Sequence, residues 1–299
     1  MTLKQFNRII ELRTKIISMG TFLSGTIYSL VLLNEFSYTR FFLMMTAVLC
    51  VDMGTTGFNS YFDFKNGTDK ASLNYEKDKV LVHEGVSPLL ALLISLSLFM
   101  MAGVLGLILG YLTHFYLIIV GALCMAVGFI YTGGPYPISR TPFGELFAGG
   151  FLGPVLFLIS FYVQSLTLTW MSVIVSFPLL LLVGMILTIN NTCDKESDLE
   201  AGRKTLSIVL SEKANNKLIF IEFYGAYIYA IVLGFSPILP IYVSFTLSVA
   251  LLFGHREFRK MKEEGFSLHT KGTSIGHVSK LFLFYVIAFC VGIILSLLF

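Results

Sequence analysis

Charged side chains are scarce in this sequence of 299 residues. Asp, Glu, Lys and Arg make up only 13% of the chain, whereas 56% of the residues are hydrophobic and the mean hydropathy is +0.81. A soluble domain of this length could not cover its surface with so few polar groups. The shortage of charge therefore excludes a soluble globular protein and predicts an integral membrane protein.

Cysteine is rare as well, with four in the chain. Cys50, Cys124 and Cys290 lie in predicted helices and Cys193 in a predicted loop, so no disulfide framework is expected. No cysteine pair has zinc-type spacing, and "HEGVS" at 83–87 lacks the second histidine of a zinc-protease motif. Walker loops, serine-hydrolase elbows and nucleic-acid-binding modules are also missing, so no nucleic-acid partner is expected.

Long apolar runs dominate what is present. A helix that crosses a membrane needs about 20 mostly apolar residues, and the sequence contains nine such runs. The first follows a basic segment and has no small-residue cleavage site, which indicates a retained helix. We predict an all-α membrane protein with a single domain, 1–299, whose nine transmembrane helices lie at 16–34, 40–58, 88–110, 112–131, 144–163, 168–189, 217–235, 237–254 and 278–298.

Basic residues give the orientation of these helices. Nine spans place successive loops on alternate sides, and every Lys and Arg except Arg40 falls on the side of the N-terminus. The positive-inside rule puts that side in the cytoplasm. The predicted cytoplasmic parts are the N-terminal segment 1–15 and the loops 59–87, 191–216 and 255–277.

Two acidic clusters stand at equivalent places in this plan. "NSYFDFKNGTDK" at 59–70 follows the second predicted helix, and "NNTCDKESDLEAGRKT" at 190–205 follows the sixth. Each begins with Asn-x-x-x-Asp, in which the two residues share one helix face. The repetition predicts two related four-helix blocks plus a ninth helix, with a functional site where the blocks meet.

The chemistry of the clusters points to a cation and phosphate. Carboxylates brought together repel one another unless cations lie between them, and hard oxygen ligands select Mg²⁺ or Ca²⁺. Lys and Arg nearby are suited to phosphate, and the apolar interior would hold a hydrocarbon tail. We therefore predict a Mg²⁺–diphosphate site. The candidate metal ligands are Asn59, Asp63, Asp69, Asp194 and Asp198, and the nearby bases are Lys65, Lys70, Lys79, Arg140, Arg203 and Lys204.

Four stretches together resemble a known family. "NSYFDFKNGTD", "KVLVHEGVSP", "YTGGPYPISRTPFGE" and "NNTCDKESDLEAGRKTLSIVL" are similar, in this order, to signature stretches of the UbiA superfamily of intramembrane prenyltransferases, within its dihydroxynaphthoate polyprenyltransferase (MenA) branch. The resemblance implies nine helices around a central cavity that is open laterally to membrane lipid. It also implies Mg²⁺-assisted ionisation of a polyprenyl diphosphate and capture of the allylic cation by an aromatic acceptor.

The resemblance assigns roles to individual residues. The position after Asn59 is Ser60 where Asp is common, Ser139 replaces a Lys before Arg140, and Lys79 stands where Arg is frequent. These departures concern the acceptor and chain length more than the diphosphate chemistry. The implied catalytic residues are Asn59, Asp63, Asp194 and Asp198, with Asp69 as a further metal ligand, and the implied substrate-binding residues are Lys65, Lys79, Tyr136, Arg140, Asn190, Arg203 and Lys204.

Some further side chains have two interpretations. Asp52, seven residues before Asn59, is either a functional intramembrane acid or the partner of a buried polar group. Glu222 is expected to reach the membrane interface as a snorkelling carboxylate. The aromatic rings expected either to stabilise a carbocation or simply to pack are those of Phe58, Phe62, Tyr131 and Tyr136.

The predicted reaction is Mg²⁺-dependent prenyl transfer to 1,4-dihydroxy-2-naphthoate, giving demethylmenaquinone, at the cytoplasmic face of a bacterial cell membrane. One alternative is a prenyltransferase of the same superfamily that acts on 4-hydroxybenzoate or haem. The other is a secondary transporter with Asp52 as an ion site, which the cytoplasmic position of the clusters disfavours because transporter sites lie near the midplane. The sequence supports no prediction of the oligomeric state.

Overall fold

The computed structural model describes residues 2–31, 36–68 and 79–299. Within these residues all regular secondary structure is helical, which confirms the all-α prediction. Short 3₁₀ turns lie at Leu12–Lys15 and Ile138–Arg140. The α-helices in chain order are α1 (Leu3–Ile9), α2 (Ile16–Ser29), α3 (Tyr38–Lys65), α4 (Val80–His83), α5 (Pro88–Leu112), α6 (Tyr116–Ile130), α7 (Gly144–Gly150), α8 (Leu156–Ser165), α9 (Trp170–Cys193), α10 (Lys195–Glu200), α11 (Leu206–Val209), α12 (Glu212–Leu233), α13 (Ile241–Glu264) and α14 (Lys271–Leu298).

Six helical segments in the described ranges are long and apolar enough to cross a membrane. Length and apolar character are the two properties that a bilayer demands of a spanning helix. The chain is therefore an integral membrane protein. The six segments are Tyr38–Lys65, Pro88–Leu112, Gly144–Ser165, Trp170–Cys193, Glu212–Leu233 and Lys271–Leu298.

The other three predicted spans are helical but differ in length or polarity. α2 has 14 residues and α6 has 15, both below the usual spanning length. α13 has 24 residues, but its second half is the polar sequence "HREFRKMKEE". The count of nine transmembrane helices, and their division into two blocks, thus stay predictions.

The segment Gly144–Ser165 contains an irregular turn. Between α7 and α8 the backbone forms a π-helical turn at Phe151–Val155, which includes Pro154. Proline lacks the N–H that an α-helix needs, and its ring clashes with the carbonyl four residues earlier, so a wider turn relieves the conflict. The turn lets α7 pack against α9 while α8 packs against α2.

Glycine brings α7 very close to α9. A Cβ at Gly149 would lie 2.7 Å from the carbonyl oxygen of Leu180 and 3.2 Å from the backbone of Gly184. Small residues of this kind allow helix backbones to approach one another within a membrane. The crossing sets α7 against the part of α9 that leads into the second acidic cluster.

Buried aromatic rings fill the space between the later helices. Tyr28 on α2 packs against Phe157 and Phe161 on α8 and against Phe289 on α14. Ring pairs with centroids 4.5–7 Å apart stabilise such contacts beyond the area that they bury. The contact of Tyr28 with Phe289 places α14 against α2, which joins the end of the chain to its beginning. α14 also packs against α13.

The outer surface of α5 is apolar and uncovered. Met100, Val104 and Tyr111 are all exposed on it. A row of exposed apolar side chains along one helix face marks contact with a partner or with lipid. For a helix that can span a membrane, bilayer lipid is the natural neighbour of these side chains.

The α7–α9 crossing leads to a prediction for Gly149→Ala. The added methyl group meets rigid backbone, so we expect a loss of about 1–3 kcal/mol of stability, offset in part by the better helix propensity of alanine. Thermal unfolding of the purified protein in detergent measures the effect. Gly103→Ala on α5 is the matched control, because a Cβ there meets nothing within 4 Å. Equal unfolding temperatures for the two variants would contradict the close crossing.

Candidate functional site

A cavity of about 2090 Å³ lies between the helices. Sites for drug-sized ligands have volumes of roughly 300–1,000 Å³, so this cavity has room for a long hydrocarbon chain together with a ring. Its lining divides into an apolar wall and a polar end. The wall includes Ala102, Leu109, Leu117, Met125 and Phe151, and the polar end includes Asn59, Asp63, Asn190, Asp194, Asp198 and Arg203.

The first acidic cluster begins in the last two turns of α3. Asn59 and Asp63 both line the cavity, as their spacing predicts, and Asn59 Oδ1 accepts a hydrogen bond of 2.6 Å from Thr132 Oγ1. The helix ends at Lys65, and Gly67 turns the chain with a φ of 68°. Asp69, a predicted metal ligand, lies outside the described residues.

The second acidic cluster spans the junction of α9 and α10. Asn190 and Asp194 lie at the end of α9, and Asn190 Nδ2 donates to Asp194 Oδ2 at 3.3 Å. Asp198 follows on α10, where its backbone N–H bonds to the carbonyl of Asp194 at 2.8 Å. All three residues line the cavity. The predicted oxygen-bearing stripe therefore continues from one helix into the next.

Arg203 binds the buried end of this stripe. Its guanidinium donates to Asp198 Oδ1 at 2.9 Å and to the carbonyl of Ser139 at 2.9 Å. Gly202, with a φ of 69°, makes the turn that brings Arg203 back towards Asp198. The loop after α10 thereby delivers a fixed positive charge to the polar end of the cavity.

Arg140 and Lys204 hold the surrounding loops together. The Arg140 guanidinium donates to the carbonyl of Ala201, and the backbone N–H of Lys204 donates to the Arg140 carbonyl at 3.0 Å. Neither residue lines the cavity. In this structure they brace the loop at 138–140 against the loop at 201–204, which carries Arg203.

Burial is the main influence on the pKa of the Asp198 carboxyl. Its carboxyl is almost inaccessible, and burial raises its pKa to about 6, with Asp194 acting in the same direction and Arg203 against it. The pKa of Arg203 is raised as well, because the fields of Asp198, Asp63 and Asp194 outweigh the effect of its own burial. Three carboxylates, one from α3 and two from the junction of α9 and α10, thus act on one guanidinium.

The polar end fits a Mg²⁺ ion that is shared with a phosphate. Among the described residues, Asp198 Oδ2 and Arg203 Nε are buried without a hydrogen-bond partner, which leaves one acceptor and one donor for a ligand. In the described part of the chain, no three acidic, His or Cys side chains lie close enough together to hold a metal ion on their own, so phosphate oxygens would have to complete its coordination. Mg²⁺ prefers one or two carboxylates together with phosphate oxygens, and the donors match that pattern.

The remaining predicted substrate-binding residues occupy different places. Lys79 lines the cavity, and its Nζ lies 3.8 Å from Glu11 Oε1. Lys65 lies outside the cavity lining, with its Nζ 5.7 Å from the centre of the Tyr61 ring. Tyr136 is 90% exposed and does not line the cavity. The roles of Lys65 and Tyr136 stay predictions.

Asp52 has a buried cationic partner that the sequence did not reveal. Lys15 Nζ donates to Asp52 Oδ1 at 2.7 Å and to Thr56 Oγ1 at 2.6 Å, and Ser18 Oγ donates to Asp52 Oδ2 at 2.5 Å. Lys15 is 3% exposed, whereas the Asp52 side chain is 15% exposed and borders the cavity. Of the two interpretations of Asp52, the geometry favours the partner of a buried polar group.

Two glutamates are buried behind the cavity wall. Asn191, which lines the cavity, donates to Glu145 Oε1 at 2.8 Å, and Thr188 donates to Glu222 Oε1 at 2.9 Å. The expectation that Glu222 snorkels to the interface is wrong, since its side chain is buried between α12 and α9. In the predicted span 217–235 Glu222 stood near the start, but in the structure it lies at the middle of α12, where Thr188 of α9 presents a hydroxyl group.

The fold and the site together define a helical membrane protein with a large apolar cavity that ends in paired carboxylates and basic groups. The sequence matches the UbiA prenyltransferase family over residues 18–265, and the chain belongs to that family. The resemblance of the four signature stretches is thereby confirmed.

A characterised bacterial enzyme is similar to the chain in sequence. The 1,4-dihydroxy-2-naphthoate octaprenyltransferase of Bacillus subtilis (strain 168) is 38% identical over 191 residues, which are 64% of this chain and 61% of that protein. The matched part thus spans about six-tenths of the relative's length. The similarity supports the predicted branch of the family.

Solved structures share the fold at low identity. A UbiA homologue from Aeropyrum pernix K1 superimposes with a TM-score of 0.70 at 18% identity, covering 95% of this chain and 98% of that one. A UbiA homologue from Archaeoglobus fulgidus, bound to DMAPP and Mg²⁺, gives a TM-score of 0.64 at 13% identity, covering 96% and 99%. These likenesses establish the helical architecture.

The buried Lys15–Asp52 pair leads to a prediction for Asp52→Leu. The substitution leaves the Lys15 ammonium buried without its carboxylate, so we expect a loss of about 3–5 kcal/mol of stability. The double variant Lys15→Met with Asp52→Leu should recover most of it, because an apolar pair can replace a buried ion pair. Thermal unfolding in detergent gives both values.

Glu263→Ala is the control for this comparison. Glu263 pairs with Arg259 on the surface, where both side chains are about two-thirds exposed, and exposed ion pairs contribute about 0–1 kcal/mol. If Asp52→Leu unfolds at the same temperature as Glu263→Ala, the interpretation of Asp52 as a structural partner is wrong.

Proposed function

We propose that the protein is an intramembrane polyprenyltransferase that transfers a prenyl group from a polyprenyl diphosphate to 1,4-dihydroxy-2-naphthoate, giving demethylmenaquinone. The observation that carries the proposal is the convergence of two acidic stripes, from α3 and from α9–α10, at one end of a long apolar cavity. Membership of the UbiA family supports prenyl transfer. The similarity to the dihydroxynaphthoate octaprenyltransferase of Bacillus subtilis supports the acceptor.

The proposal includes the topology. We infer that α2, α6 and α13 also cross the membrane, which gives nine spans in two four-helix blocks, with α14 as the ninth. The positive-inside rule then places the polar end of the cavity at the cytoplasmic face. A diphosphate arriving from the cytoplasm would reach the acidic stripes directly, while its tail extends into the apolar wall and the membrane lipid beyond.

Asn59, Asp63, Asp194 and Asp198, with Asp69, are the proposed ligands of Mg²⁺. When bound, Mg²⁺ supplies positive charge that stabilises the departing diphosphate. Arg203 and Lys79 line the cavity near these ligands and are placed to bind phosphate oxygens. Lys65, Tyr136, Arg140, Asn190 and Lys204 complete the proposed substrate-binding set.

The reaction breaks the bond between the allylic carbon and the diphosphate oxygen, and the electron pair leaves with the diphosphate. A carbon of the acceptor ring then bonds to the allylic carbon. By the family resemblance, the ring carboxylate is lost as carbon dioxide at this position, and the electron pair of the broken carbon–carbon bond restores the aromatic ring. The immediate product is thus the quinol, which dioxygen oxidises by two electrons to demethylmenaquinone. The residues of the chain bind the leaving group, whose developing charge Arg203 stabilises.

The apolar wall protects the allylic cation. Side chains such as Leu109, Met125 and Phe151 exclude water that would otherwise capture the cation. Of the rings proposed to stabilise it, Tyr131 lines the cavity, whereas Phe58 is buried against Phe99 and Phe129. Tyr131 is therefore better placed for this role than Phe58.

A product assay by mass spectrometry tests the proposal. Purified protein in lipid receives Mg²⁺, geranylgeranyl diphosphate, and dihydroxynaphthoate in competition with hydroxybenzoate. We expect a prenylated naphthoquinone, no product with EDTA, and a loss of at least about 100-fold for Asp63→Ala and Asp194→Ala, because each removes a group that stabilises the leaving charge.

Glu196→Ala is the matched control for Asp194→Ala. Glu196 is an exposed carboxylate two residues away that does not line the cavity, so its removal should leave the rate near that of the unaltered protein. Prenylated hydroxybenzoate as the main product would contradict the acceptor assignment. Undiminished turnover in both aspartate variants would contradict the site.

A further inference from the structure

Lys271 reaches the second acidic cluster from the opposite end of the chain. Its Nζ donates to Asp194 Oδ2 at 2.7 Å, and the two side chains are only 17% and 14% exposed. The same oxygen accepts the hydrogen bond from Asn190 Nδ2. Lys271 and Asp194 both line the cavity. A lysine of the last helix thus holds an oxygen that belongs to the proposed metal ligands.

The local sequence does not favour a cation at this position. Lys271 is the first residue of α14, and the first turn of that helix contains no acidic residue. The N-terminus of a helix carries partial positive charge, so a lysine there is unfavourable unless an anion lies nearby. In the present structure Asp194 supplies that anion from a distant segment. Departures from local rules of this kind are expected at functional sites.

The space around Lys271 is open towards the cavity. Gly272 and Gly276 follow it on α14 and also line the cavity, and a Cβ at either position would meet nothing within 4 Å. His269, just before the helix, lines the cavity as well. The Lys271 side chain therefore borders open volume of the cavity.

We propose that Lys271 is a diphosphate-binding residue. Its ammonium group pairs with Asp194 before the substrate binds and moves to a phosphate oxygen afterwards. The inference rests on the proposed function, because it assigns one more residue to the same site. An ammonium group and a divalent cation compete for one carboxylate oxygen. Once the cation takes Asp194, the ammonium group of Lys271, on its flexible four-carbon stem, turns from that carboxylate to a phosphate oxygen.

A purely structural role for Lys271 makes a different prediction. If the ion pair only fastens α14 to α9, its removal should loosen the site and weaken the binding of metal and diphosphate alike. If Lys271 moves between Asp194 and the diphosphate, its removal should change the affinities for metal and for diphosphate in opposite directions. The carboxylate of Asp194 becomes more available to a cation, while the diphosphate loses a partner.

The experiment measures two affinities in Lys271→Met, which keeps an apolar stem and removes the charge. Mn²⁺ serves as a spectroscopic substitute for Mg²⁺, and its binding without diphosphate is followed by electron paramagnetic resonance. Binding of geranylgeranyl thiolodiphosphate, which resists ionisation, is then measured by calorimetry at saturating Mn²⁺. We expect Mn²⁺ to bind roughly fivefold more tightly and the thiolodiphosphate roughly tenfold more weakly than in the unaltered protein.

Two further variants complete the test. Lys271→Arg should restore thiolodiphosphate binding to within roughly threefold, because it returns a phosphate-binding cation. Lys280→Met is the matched control, since Lys280 lies on the same helix and bonds to a carboxylate, Glu257, outside the cavity. It should change neither affinity.

The measured affinities distinguish an error in the role of Lys271 from an error in the proposed reaction. Unchanged affinities in Lys271→Met, or a parallel loss of both, would overturn the role of Lys271 while leaving the proposed reaction intact. Failure of the unaltered, folded protein to bind the thiolodiphosphate at all would overturn the proposed function itself. Opposite shifts in the two affinities, with Lys280→Met unaffected, would support the exchange.

Discussion

A charge inside an apolar bundle must have a partner, and the arrangement of this protein follows from that requirement. Taking an ion out of water costs several kcal/mol, which only close pairing offsets. Three carboxylates at the cavity meet the requirement with nearby cations. They are paired as Asp52 with Lys15, Asp194 with Lys271, and Asp198 with Arg203. The first two pairs join distant segments that a hydrophobic effect alone would not hold in register, because the surrounding lipid is as apolar as the helices. The third fixes the local turn after α10.

The three ion pairs differ in whether they leave polar atoms without a hydrogen-bond partner. Asp52 has both oxygens engaged by Lys15 and Ser18, which suits a permanent support. Asp198 and Arg203 each keep one buried polar atom without a partner among the described residues. Leaving these two buried atoms unpaired is costly, and a cation at the carboxylate together with an anion at the guanidinium would relieve that cost. The same cavity thus contains one pair that serves structure and others whose charges can be redistributed around a ligand.

Much of the fold follows from the sequence, and its limits have physical causes. Each predicted apolar run falls on a helix of the structure, although α13 and α14 extend into the predicted loop 255–277. The i, i+4 spacing put Asn59 and Asp63 on one face that lines the cavity. Hydropathy cannot show that a span is short or irregular. α2 has 14 residues, and the π-helical turn with Pro154 divides the segment after Gly144. These features depend on how neighbouring helices pack, because tertiary contacts compensate for the backbone groups that such turns leave unpaired.

The sequence by itself determined the membrane class, the all-α architecture, the family and the two acidic motifs, since composition and local spacing are written in consecutive residues. Only the tertiary structure decided which charges meet. Lys271 lies far along the chain from Asp194, Lys15 far from Asp52, and Asn191 far from Glu145. The tertiary structure also showed that Arg140 and Lys204 brace loops, while Arg203 lines the cavity. Such pairings depend on helix crossings set by glycine contacts and side-chain volume, which no single stretch of sequence records.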